Sequence, residues 1–359
     1  MICLKKYVLF FFLSIFIVFL IPISVLADSA ASSIVMDLDS GRILYQNSIH
    51  EERLIASTTK IMTAIVALEN GDLTKKVTIG DEILSMYGTN IYVQVGEKMK
   101  LRDLLYGLML RSGNDASVVI AKAVAGSEKK FVAMMNKKAQ EIGMENTHFE
   151  NPHGLDEYTE NYSTAYDMAL LSQYAYQNKT YRNIVSTKKY EVSTGGKTYL
   201  WYNRNELLDN YKYCTGGKNG YTPKAGKTLV TTASKNGLNL TVVTLSDSDT
   251  YNNHQSLYED IFSRYQRYQI VDKNHFNIDQ EFFDKEVYLK KSFYYPLTED
   301  EVDNIKTVVR LLNSTGTDKV GVLEIYLNDQ MIGKLPIFSK NGSENDNSNK
   351  FIKWFKSLF

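Results

Sequence analysis

Ser57-Thr58-Thr59-Lys60 sets a hydroxyl nucleophile and an amine one helical turn apart. Residues three apart share a helix face, so Lys60 can take the Ser57 proton while the helix N-terminus favours the negative charge that develops on an attacked carbonyl. By itself the pattern is common, and Ser127 to Lys130 and Ser186 to Lys189 match it too. Two further elements follow in order. Ser112-Gly113-Asn114 falls in a break between two helical stretches, and Lys218-Asn219-Gly220 stands at the entry to a strand region. Ser-x-Asn also recurs, at Ser234, Ser339 and Ser343, so order and context carry the signal. The competing Ser-x-x-Lys matches lack that order: Ser127 follows the Ser-x-Asn element, and Ser186 opens a strand-like stretch.

The elements that must position these residues can be read from periodicity. Residues 31–46 alternate as two strands about an Asp39-Ser40-Gly41 turn. Helical spacing then predicts helices over 58–70, 101–110, 116–125, 127–142 and roughly 164–177. Strand signals return at 212–214, 227–234 and 238–246, followed by a helix near 257–267. Strands at both ends of a helical block predict an α+β domain: an antiparallel sheet whose first and last strands meet, with helices on its faces. Short alternating segments over 271–339 predict a small all-β domain.

The chain has 359 residues, and 41 basic side chains balance 41 acidic ones. Its length suggests two domains, and 44% hydrophobic content suits a folded protein. Zero net charge without an Arg-rich run argues against nucleic acid as a partner. The two ends are distinctive. Lys5 and Lys6 precede an apolar run that ends Val25-Leu26-Ala27, the layout of a cleaved signal peptide over 1–27. Removing it takes away Cys3 and leaves Cys214 as a lone thiol, read as a packed strand residue. At the other end a polar linker, 341–349, leads to 350–359, where Phe351, Ile352, Trp354, Phe355, Leu358 and Phe359 share one helical face and Lys350, Lys353 and Lys356 the other. Such a helix suits the plane of a membrane surface. The expected domains are thus 28–269 for the α+β unit and 270–340 for the β unit.

The ordered trio resembles the Ser-x-x-Lys, Ser-x-Asn and Lys-Thr-Gly motifs of penicillin-binding proteins and serine β-lactamases. From Ala31 to Phe359 the chain is similar to the D-alanyl-D-alanine carboxypeptidases of the low-molecular-weight penicillin-binding family. Asn151-Pro-His-Gly-Leu-Asp156, the run Tyr162 to Ala169, the trailing β domain and the C-terminal amphipathic segment all share in this resemblance. It implies a β-lactamase/transpeptidase-like fold and removal of the terminal D-alanine from peptidoglycan stem peptides at the outer face of the cytoplasmic membrane, with β-lactams acylating the same serine. The implied catalytic residues are Ser57, Lys60 and Ser112, with Ser112 returning the proton to the leaving amine. Asn114 would hold the substrate amide and Lys218 its carboxylate, while the backbone N–H groups of Ser57 and Tyr221 would form the oxyanion hole around Gly220. One departure stands out, since Asn219 occupies the family threonine position. Its amide can also donate a hydrogen bond, with different reach.

Two other functions stay open at this stage. A serine β-lactamase would need a deacylating Glu-x-x-Leu-Asn, which the chain lacks, its closest string being Glu206-Leu-Leu-Asp-Asn210. Asn219 motivates a penicillin- or stem-binding protein without turnover. No cofactor or metal is expected: there is no His-Glu-x-x-His, and the run Gly220 to Thr228 has five residues between its glycines where a phosphate loop needs four. His153 reads as a residue that orders its loop.

Overall fold

The computed structural model describes residues 28–279, 283, 286–312 and 318–339. The expected signal segment (1–27), linker (341–349) and amphipathic helix (350–359) lie outside the described residues.

Five strands form the main sheet in the order β2 (Ile43–Asn47), β1 (Ala30–Asp37), β11 (Leu238–Asp247), β10 (Gly226–Lys235) and β9 (Cys214–Thr222). First and last strands of this domain do meet: β1 runs antiparallel to β11, with Ile34 opposite Val243. Strand alternation sorts the side chains between two cores. Ile34, Met36, Val230, Val243 and Leu245 face the larger one, and Val35, Leu229, Leu240 and Val242 the smaller.

The helices of the larger core are α1 (Lys60–Asn70), α2 (Leu101–Arg111), α3 (Asn114–Ala125), α4 (Glu128–Ile142), α5 (Ala165–Gln177) and α6 (Lys179–Ser186). Every residue of α1 from Lys60 to Ala67 is buried, so the helix that carries the candidate base runs through the middle of the domain. A short α7 (Leu207–Asn210) precedes β9, and α8 (Thr250–Arg264) covers the other face of the sheet. Small pairings tie the loops down: β3 (Arg53–Leu54) with β6 (Tyr162–Ser163), β4 (Lys76–Thr78) with β5 (Lys98–Lys100), and the hairpin of β7 (Lys189–Thr194) and β8 (Lys197–Tyr202).

After α8, β12 (Gln266–Val271) pairs with β14 (Phe293–Leu297). A four-stranded sheet follows, ordered β13 (Val287–Leu289), β17 (Gln330–Ser339), β16 (Lys319–Leu327) and β15 (Ile305–Leu311). One arginine joins this unit to the first. Arg42, beside the β1–β2 turn, donates to the Pro296 carbonyl at 2.6 Å and with both terminal nitrogens to Glu301, at the end of the short helix α9 (Glu299–Val302). Its guanidinium lies 5.3 Å from the ring centres of both Tyr265 and Tyr295.

The structure corrects several element boundaries. The first helix is preceded by a 3-10 turn over Ala56–Thr59, and α1 starts at Lys60 rather than Thr58. The strand expected at 212–214 spans Cys214–Thr222, because pairing with β10 imposes extension on a glycine-rich run of low strand propensity. The last helix of the first domain begins at Thr250 and ends at Arg264, since Gln266 and Arg267 are recruited as strand partners of Leu297 and Pro296.

Candidate active site

Ser57 sits in the 3-10 turn and Lys60 opens α1, so the turn points both side chains to one place: Lys60 Nζ lies 2.9 Å from Ser57 Oγ. Two more acceptors surround that nitrogen, Asn114 Oδ1 at 2.8 Å and the His153 carbonyl at 2.5 Å. Lys60 is fully buried, and its pKa is held well below the usual lysine value, first by burial and then by the Lys218 charge. This is the condition under which a lysine serves as a base.

The break between α2 and α3 positions the second motif. Ser112 caps α2 in a left-handed conformation (φ 63°), Gly113 precedes α3, and Asn114 is that helix's first residue. Both side chains of the motif are buried, and Asn114 is fixed from the far side by donating Nδ2 to the Tyr87 carbonyl at 2.8 Å. Ser112 is not among the three groups that Lys60 contacts.

Strand β9 brings up the third motif. Gly220 faces the Ala56–Thr59 turn so closely that a Cβ there would lie 2.8 Å from Ser57 N and 2.5 Å from Thr228 Oγ1. Lys218 is buried, and its pKa falls to about 7, first from burial and then from the Arg204 charge. Its Nζ donates to the Asn219 carbonyl at 2.6 Å and to Asn219 Oδ1 at 3.3 Å. The Asn219 amide oxygen is therefore turned to the lysine, and its NH2 group is the donor the side chain can offer a ligand. Tyr221 is 65% exposed, and its ring lines a cleft of about 610 Å³ with Asn203, Arg204, Asn219, Gly220 and Tyr251.

Lys60 thus contacts both Ser57 and Asn114, Gly220 is packed on the Ser57 turn, Asn219 and Tyr221 line the adjacent cleft, and Lys218 is buried behind Asn219. The competing motif is a helix cap, in which Ser127 Oγ accepts from the Lys130 amide at 3.3 Å. Two participants carry no sequence signal as reactive groups. Arg204 lines the cleft and lowers the pKa of Lys218, and the His153 carbonyl is a backbone atom. The His153 ring is neutral: burial and the Lys60 charge push its pKa to about 3, and Nδ1 accepts from the Leu155 amide at 3.1 Å. Among the described residues no group of three or more His, Cys, Asp or Glu could hold a metal ion, and no helix is long and apolar enough to cross a membrane.

A half-buried Ser paired with a buried Lys at the start of a central helix, an Asn from an interhelical break and a Lys-x-Gly edge strand define a serine acyl-transfer site of the penicillin-binding type. The model of the D-alanyl-D-alanine carboxypeptidase family matches residues 23–249, and that of the penicillin-binding protein 5 C-terminal domain matches residues 266–345. The chain is 34% identical over 260 residues to the D-alanyl-D-alanine carboxypeptidase DacF of Bacillus subtilis, covering 70% of this chain and 67% of that protein. Penicillin binding protein 5 from Haemophilus influenzae has the same fold, with a TM-score of 0.75 at 24% identity over 88% of this chain and 97% of that one. Penicillin binding protein 6B from Escherichia coli gives a TM-score of 0.69 at 27% identity over 86% of this chain and 95% of that one. The chain belongs to the D-alanyl-D-alanine carboxypeptidase family. It is a serine peptidase with an α+β catalytic domain and a C-terminal all-β domain.

Proposed function

We propose that this chain removes the terminal D-alanine from peptidoglycan stem peptides through an acyl-enzyme on Ser57, and that β-lactams acylate the same residue. The observation that carries this reading is the shell around Lys60. A neutral amine has two N–H bonds and one lone pair. Asn114 Oδ1 and the His153 carbonyl accept the two N–H bonds, and the lone pair is left for the Ser57 hydroxyl. As Ser57 Oγ bonds to the carbonyl carbon of the penultimate D-alanine, its proton passes to Lys60, and the resulting ammonium keeps the same three neighbours. No reorganisation is needed at the moment of reaction.

The oxyanion forms between the Ser57 and Tyr221 amides, a pairing that requires the close seat of Gly220 on the turn. Asn114 holds the substrate amide. Lys218, with Asn219 and Gly220, borders the place of the terminal carboxylate, and its charge there suits an anion. Ser112 relays the proton to the amine of the departing D-alanine, after which water hydrolyses the ester and Ser57 regains its proton.

The organisation proposed is a catalytic domain over 28–269, a β domain over 270–340 and a linker over 341–349. Export by residues 1–27 and docking of 350–359 on the membrane surface would hold the catalytic domain at the cell wall. The test is to incubate the chain with a peptide ending in D-Ala-D-Ala and assay free D-alanine. Release by wild type and none by Ser57→Ala is expected. Covalent penicillin labelling without any release would leave a binding role instead. Deleting 351–359 is expected to free the protein from membranes, and unchanged sedimentation with them would place the anchor elsewhere.

A further inference from the structure

The Asn151-Pro152-His153-Gly154 loop supplies no side chain to the three motifs, yet it touches the nucleophile turn and the first turn of α1 at three points. The His153 carbonyl accepts from Lys60 at 2.5 Å, and the Pro152 carbonyl accepts from Thr63 Oγ1 at 2.7 Å. Gly154, with φ of +86°, lies so near that a Cβ there would stand 1.9 Å from the Ala56 carbonyl oxygen. Ala56 itself has φ of 46°, a left-handed conformation that a non-glycine residue keeps only where its surroundings impose it.

One side chain organises this loop. Asn151 is 1% exposed, and its Oδ1 accepts from the amides of His153 at 3.0 Å and Gly154 at 2.6 Å. Its Nδ2 donates to the Leu155 carbonyl at 3.0 Å and to Thr159 Oγ1 at 2.8 Å. Asn161 then bolts the frame to the nucleophile turn, donating Nδ2 to the Asn151 carbonyl at 3.0 Å and to Thr59 Oγ1 at 2.9 Å.

We propose that Asn151 is a positioning residue for acylation: by fixing the His153–Gly154 backbone it aims the His153 carbonyl at Lys60 and braces the strained Ala56–Ser57 turn. The inference rests on the reading of Lys60 as the base. If the carbonyl turns away, one N–H of Lys60 loses its acceptor and competes with the lone pair for the direction of Ser57. Proton transfer is then misaligned although every motif residue remains. Substrate contacts made by Asn114, Lys218 and Asn219 are untouched, so the defect falls on kcat rather than KM.

The test compares full-length wild type with Asn151→Ala, Asn151→Ser and Asn136→Ala. Asn136 braces the start of the same loop through Phe149 N and O, at 2.9 and 2.7 Å, and serves as a variant that affects loop stability alone. The readouts are the second-order acylation constant with a fluorescent penicillin per folded molecule, kcat and KM for D-alanine release, and melting temperature. Asn151→Ala is expected to lower the acylation constant and kcat about tenfold or more, with KM within about twofold. Serine keeps an acceptor for the His153 amide but loses the other bonds, so Asn151→Ser should fall between, at least about threefold below wild type. Asn136→Ala should melt earlier and acylate as wild type does.

Asn151 variants that lose stability but acylate at the wild-type rate would overturn the proposal. If Asn151→Ala does not fold, Asn151→Ser decides on the same terms. Labelling that persists in Ser57→Ala would instead remove the functional reading beneath it.

Discussion

Gly220→Ala perturbs the site by one methyl group, and its effect can be worked out from the contacts. The new Cβ would lie 2.5 Å from Thr228 Oγ1, 2.8 Å from Ser57 N and 3.1 Å from Thr58 N. Ordinary contact needs roughly 3.4 Å or more, so the overlap with backbone is about half an ångström. Thr228 cannot swing aside freely, because its hydroxyl donates to the Ile55 carbonyl at 3.1 Å and so holds the same turn. Strand β9 must therefore move off Ser57, which pulls the two proposed oxyanion donors apart. Each such donor is worth ~10² to 10³ in rate, and a shift near one ångström can cost ~10². Overpacking of this size costs about 1–3 kcal/mol of stability, small enough to leave the protein folded. The assay is stopped-flow acylation by a fluorescent penicillin beside a thermal melt. A fall of roughly 10²-fold in the acylation constant with a modest drop in Tm is expected. Acylation within about threefold of wild type would mean that the close seat of Gly220 on the turn has no part in catalysis.

Four further outcomes are expected. Lys60 must be neutral and Lys218 charged, so kcat/KM should rise with pH as Lys60 loses its proton and fall as Lys218 loses its own, whose pKa is about 7. Lys218→Arg should push the alkaline limb out of range, because a guanidinium does not titrate there, and an unchanged limb would assign it to another group. Because the folded Lys218 pKa lies below its ordinary 10.5, the unfolded chain binds more protons between pH 7 and 10.5, and this residue's contribution to stability increases across that window. Asn219→Thr frees Lys218 of its amide partner and exchanges an NH2 donor for a hydroxyl. A change of about three- to tenfold in KM with little change in kcat is expected, as for one exchanged hydrogen bond, and a change confined to kcat would oppose a carboxylate-binding role. Arg42→Ala removes the bidentate pair with Glu301 and the ring contact with Tyr295 between the units, and the ring contact with Tyr265 within the first. Denaturation should show a loss of about 1–3 kcal/mol, and solution scattering a looser arrangement of the two units, with no change in acylation.

The three motifs were legible because their chemistry resides in side chains and their order is fixed by the topology that unites them. Helices with an apolar stripe were legible for a similar reason: α1, α2, α4 and α5 each pack one periodic face or more into a core. What stayed hidden depends on partners far away in sequence. The run Cys214 to Thr222 has three glycines and few strand formers, and it is extended only because β10 pairs with it. Helix α6 is short and polar in sequence, but its cap at Asn178 and the burial of Tyr181, Ile184 and Val185 define it. The 3-10 turn at Ser57 arises from the loop pressed against it at Gly154, which no local propensity encodes. The His153 carbonyl could not be found from residue types, since every residue has one.

The most direct test of the account is peptide mapping by mass spectrometry after the chain is quenched during turnover of a D-Ala-D-Ala peptide, and separately after reaction with penicillin. Both adducts should sit on Ser57, as esters that are absent from Ser57→Ala, and the peptide adduct should weigh one alanine less than the free substrate acyl donor. Attachment to any other residue, or D-alanine release that survives Ser57→Ala, would contradict the central claim.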